Sequence, residues 1–120
     1  MGERRVIIEI GMGNDLHGMD YTKAAGRAIE DAFRHSSLPL FGALGLDHGA
    51  MRVQVTVAVQ EPERLDLAAL AALLPRGRAE VRAVFGGLNV AAGGETIVIA
   101  QASVEAFLPP QTGWRVLPRD

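Results

Sequence analysis

Val6-Ile7-Ile8-Glu9-Ile10-Gly11-Met12-Gly13, then Asn14-Asp15-Leu16-His17-Gly18-Met19-Asp20, then Ala24-Ala25, Ala28-Ile29 and Ala32-Phe33 in a longer run, decide the fold. The first segment is a β-branched run that predicts a strand from Val6 to Ile10, buried on both faces and ended by the glycines. The second is a polar connection. The third repeats its apolar residues at helical spacing, with Lys23, Arg27, Glu30, Asp31 and Arg34 opposite, so it predicts an amphipathic helix capped by Asp20 or Thr22 and ended by Pro39 at the latest. Strand, polar turn and helix in immediate succession point to an α/β arrangement.

Downstream, Met51, Val53, Val55, Val57 and Val59 alternate with polar or small residues, the signature of a strand with one dry face. Pro62 closes it. Asp66 then caps a short helix carrying Leu67, Leu70, Ala71 and Leu74, which Pro75 and Gly77 end. Ala79 to Phe85 and Thr96 to Phe107 are β-prone, with Gly86, Gly87, Gly93 and Gly94 marking the loop between them. The expected order is β-α-β-α-β-β: an α+β, two-layer fold with a four-stranded mixed sheet and both helices on one face. Residues 1–108 form the single domain, and 109–120, with three of the six prolines and Trp114, an extended tail. The last strand is apolar on both faces, so the uncovered side of the sheet is expected to meet another copy, making a homo-oligomer.

Bulk properties remove several classes of function. At 120 residues the chain has room for one core. The net charge is −2 and the basic residues are scattered, which leaves no footprint for a phosphate backbone and predicts no nucleic-acid partner. There are no cysteines, so disulfides, thiolate metal sites and cysteine nucleophiles are excluded, in keeping with a cytoplasmic protein. No stretch is long and apolar enough to span a bilayer, and no membrane partner is expected.

The densest polar group, Asn14, Asp15, His17, Asp20, Tyr21, Thr22 and Lys23, follows the first strand, where α/β sheets place ligands. A helix N-terminus there offers free N–H groups and positive partial charge, and Lys23 adds a full charge, so an anionic small molecule is the expected ligand. His17 suits proton transfer, with Asp15 or Asp20 orienting the ring; the plainer reading makes Asp20 a cap and His17 a solvated loop residue. Glu9 within an apolar strand is either an edge residue or a functional acid. Ser36 and Ser37 either satisfy the last carbonyls of the helix and start the turn, or one of them pairs with Lys23 as an activated nucleophile, which a separation of roughly 20 Å along the helix allows only across a subunit contact. Gly11-Met12-Gly13 lacks the third glycine of a dinucleotide fingerprint, and no cofactor is expected. Asp15, His17 and Asp20, with Asp47 and His48, carry metal-ligand chemistry but no metal-site spacing, and no metal is assigned.

The run Ile8-Glu9-Ile10-Gly11-Met12-Gly13, with Asp15, His17-Gly18, Asp20, Thr22-Lys23-Ala24-Ala25, Arg27-Ala28, Asp31-Ala32 and Ser37-Leu38-Pro39, resembles a family of small conserved hypothetical bacterial proteins named after a Listeria innocua member. Gly86-Gly87-Leu88 and the strand after it are similar too, so the resemblance spans about residues 5 to 107. Where that family has asparagine before the Ser-Leu-Pro, this chain has Ser36. The resemblance implies a functional site holding Glu9, Asp15, His17, Asp20, Thr22, Lys23 and Ser37, and brings no established activity. In layout the chain is more distantly similar to the trimeric folds of cyanuric acid hydrolase, barbiturase and the small imine deaminases, which place sites between units. That analogy, from fold alone, implies a hydrolase or deaminase acting on an amide or imine bond, with a non-catalytic binding module as the alternative.

Overall fold

The structure is a computed structural model that describes residues 2–34, 50–74, 78–113 and 118. Its elements run β1 (Arg4–Asp15), α1 (Tyr21–Arg34), β2 (Arg52–Val59), a 3₁₀ turn (Pro62–Arg64), α2 (Leu67–Ala71), β3 (Arg78–Phe85), β4 (Leu88–Ala92) and β5 (Glu95–Leu108). The sheet has five strands in the order β1-β5-β2-β3, with β4 also paired to β5. β5 is antiparallel to β1, β2 and β4, while β2 and β3 are parallel. The carboxyl ends of β1, β2, β3 and β4 therefore point the same way.

The α+β class, the mixed sheet and the two helices on one face agree with the sequence; the number of strands is corrected from four to five. The extra strand, β4, occupies the glycine-punctuated stretch read as a loop. Gly93 and Gly94 both have positive φ, 58° and 83°, which lets the chain reverse in two residues and pair Ala92 with Glu95. Glycine density signals a turn equally well when the turn is a tight hairpin.

The first strand is also longer than predicted and is not buried on both sides. It runs on through Gly11 and Gly13, which permit a close approach of α1. A Cβ on Gly11 would lie 2.2 Å from Ala28 O, and one on Gly13 would lie 2.4 Å from Ala28 N. The small residues Ala24, Ala28 and Ala32 face this contact, so helix and strand pack almost backbone to backbone. Val53, Val55, Val57 and Val59 of β2 and the alternate residues Val98 to Leu108 of β5 complete the core on the helical face. Full burial of each such valine contributes about 1.5 to 3 kcal/mol.

On the other face Ile8, Ile10 and Met12 are 47%, 60% and 58% exposed, joined by Leu88 and Val90 of β4. β1 is an edge strand, and antiparallel pairing turns the N–H and C=O groups of its even residues away from β5. α1 closes part of that edge: Met12 N–H donates to Asp31 Oδ2 at 3.0 Å, and Asn14 O accepts from Arg27 Nη1 at 2.7 Å.

Candidate functional site

Three polar groups assemble at the end of the sheet where β1, β2 and β3 finish and α1 begins. The first is built on Asp15, the last residue of β1, whose side chain turns toward the helix and is 3% exposed. Gly18 and Met19, both at positive φ, bend the connection so that Asp20 N–H donates to Asp15 Oδ2 at 2.9 Å. Lys23 Nζ and Arg27 Nη1 stand 3.9 and 3.8 Å from Asp15 Oδ1, outside hydrogen-bond range, and about half of each side chain reaches solvent. One buried carboxylate thus gathers two cations without hydrogen-bonding to either, while Arg27 Nη1 donates to Asn14 O. Asp20 caps α1 by accepting Lys23 N–H at 3.0 Å. Thr22 does not cap; its Oγ1 accepts Asp66 N–H at 3.0 Å and so anchors the start of α2.

Tyr21 organises the second group. Its buried hydroxyl donates to Glu61 Oε2 and accepts from Asn89 Nδ2, both at 2.7 Å, and the Arg64 guanidinium lies 5.0 Å from the ring centroid. Burial pushes the Tyr21 hydroxyl above its ordinary value, while the bond from Tyr21 holds the Glu61 carboxyl below the usual carboxylate range. Gln60 stands beside this group: its amide Nε2 donates to Gly86 O and Gly87 O, fixing the passage from β3 to β4 around the end of β2.

His17 forms the third. Its Nδ1 lies 2.5 Å from Glu95 Oε2, the first residue of β5, and both side chains are more than half exposed. The sequence suggests Asp15 or Asp20 as the acid beside this ring, but the carboxylate it meets is that of Glu95.

Of the residues singled out in the sequence, Asn14, Asp15, His17, Asp20, Thr22 and Lys23 lie on this one end. Glu9 does not join them. It sits six residues back along β1, about 20 Å away at strand rise, beside an apolar cavity of about 20 Å³ lined also by Phe33, Met51 and Val53. Ser37, Asp47, His48 and Trp114 lie outside the described residues. Among the described residues no three His, Cys, Asp or Glu side chains come together to hold a metal ion. Sequence reasoning missed Arg27, Glu61, Asn89 and Glu95 as members of this end. Arg27 was legible only as part of a solvated helix face, and the others come from segments 40 to 78 residues away from their partners.

A comparison with curated proteins gives no match. Among solved structures, the chain is similar to the crystal structure of an FtsZ-like protein of unknown function from Nostoc punctiforme PCC 73102. The TM-score is 0.81 at 35% sequence identity, covering 92% of this chain and 99% of that one. The family model of the conserved hypothetical protein Lin0512_fam matches residues 5–106, so that strand, polar turn, helix and sheet all fall within it, and the chain belongs to that family.

Proposed function

We propose that the protein is a small homo-oligomeric cytoplasmic enzyme that hydrolyses or deaminates a small polar or anionic metabolite at an amide or imine bond. The observation that carries this reading is the buried Asp15 carboxylate holding Lys23 and Arg27 together beside the positive end of α1, with about half of each side chain open to solvent. A ligand carboxylate would meet two cations and a helix terminus in one place. Lys23 binds the anion and Asn14 flanks it, Asp15, Asp20 and Thr22 hold the frame, and His17 moves protons. Ser37 and Glu9 are contributed by a neighbouring subunit, Glu9 standing about 20 Å back along β1 in its own chain.

The oligomeric part of the proposal is supported by the exposed Ile8, Ile10, Met12 and Leu88 on the face without helices. A second reading, a non-catalytic module that binds a metabolite or a partner protein, is favoured by how open the site is: His17 is 78% exposed. The two are separated by assaying small carboxylates and cyclic amides against the wild type, Lys23→Ala and His17→Ala. The enzyme reading expects folded variants, with binding lost in the first and turnover lost in the second. Ligand binding unaffected by His17→Ala with no turnover selects the module, and undiminished affinity in both variants removes the site from this end altogether.

A further inference from the structure

We infer that Glu95 is a positioning residue for His17: its carboxylate keeps the proton on Nδ1 and leaves Nε2 as the bare nitrogen that takes up a proton. This rests on the reading of His17 as the proton-moving group. Glu95 Oε2 is an acceptor only, when ionised, so the nitrogen it meets at 2.5 Å must be the protonated one. The other ring nitrogen then carries the lone pair, and with the ring 78% exposed it faces solvent, where a ligand arrives.

Neither Asp15 nor Asp20 competes for this role. Asp15 is committed to Asp20 N–H, Lys23 and Arg27, and Asp20 to the first turn of α1. Glu95 reaches His17 because of where the hairpin ends. Gly93 and Gly94 reverse the chain, Glu95 opens β5, and β1 pairs with β5 up to Asp15–Val98, which brings the loop after β1 alongside that turn. Two residues 78 apart in sequence are thereby set side by side by the register of a single strand pair. A base oriented by a third group is the arrangement that activates a nucleophile. In the hydrolysis of an amide, Nε2 takes one proton from water as the water oxygen bonds to the carbonyl carbon and returns it to the nitrogen as the C–N bond breaks, while the Nδ1 proton stays in its bond to Glu95.

The test is the tautomer of His17, read from long-range ¹H–¹⁵N correlations of the imidazole in the full chain with the ring neutral, in the wild type and in Glu95→Ala, with His17→Gln to assign the signal. The expected result is Nδ1–H in the wild type and a shift to Nε2–H in Glu95→Ala, with an unchanged circular dichroism spectrum because both side chains are surface-exposed. Once a substrate is known, Glu95→Ala should lower kcat on the order of a hundredfold and leave KM in place. Identical tautomers in the two proteins would overturn the inference. A tautomer shift in a protein that turns over none of the amides and imines supports the positioning role and counts against the enzymatic reading alone.

Discussion

Tyr21 joins three segments through one oxygen, and its removal should show in the pH dependence of stability. The Glu61 carboxyl is held below its ordinary value of 4.5, so its contribution is present at neutral pH and is lost as pH falls through the folded-state value. The Tyr21 hydroxyl is raised above 10.0, so its contribution is present below that pH and is lost as pH rises through the folded-state value. Tyr21→Phe should flatten both flanks of a stability profile measured by urea denaturation, and the Glu61 side-chain resonance should titrate closer to the ordinary range. Asp15→Ala should cost about 2 kcal/mol in the same measurement, because Asp20 N–H loses its acceptor and two cations lose their shared counter-charge. Asp15→Asn, which keeps an acceptor, should cost less. At this scale the sequence exposes the members that are neighbours along the chain: Asn14, Asp15, His17, Asp20 and Lys23 share one loop and one helix turn. Glu61, Asn89 and Glu95 are invisible there, since their roles depend on strand register and not on spacing.

Gly11 and Gly13 illustrate how an element can be longer than its hydrophobic run. They read as terminators because glycine often ends strands, yet here they continue β1 so that α1 can lie against it. Gly13→Ala should drive a methyl group into the backbone of Ala24 and Ala28 and cost about 3 kcal/mol, measured by chemical denaturation. The short α2 depends on its cap: Asp66 Oδ1 accepts Ala69 N–H at 3.0 Å, and Asp66→Ala should cost about 1 kcal/mol. The alternation in β2 and the helical repeat in α1 were legible because burial on one face imposes a period. β4 was hidden for the complementary reason: all five of its residues are exposed, so no dry face marks it.

For the molecule as a whole, the helices cover one side of the sheet and leave the other to solvent in a single chain. Among the described residues no helix is long and apolar enough to cross a membrane, so the apolar outer strip is not part of a helical membrane span. If that strip is a contact between copies, wild-type protein should sediment above its 12.8 kDa chain mass, and Ile10→Lys should sediment as a monomer with its thermal transition still cooperative. The edge of β1 carries a further consequence. Asp31 and Arg27 occupy the outward amide of Met12 and carbonyl of Asn14, so an incoming strand finds these two edge groups already taken. The helix packed against β1 thus also acts as a guard against fibre growth, by shortening the template on which foreign β-structure could be laid down.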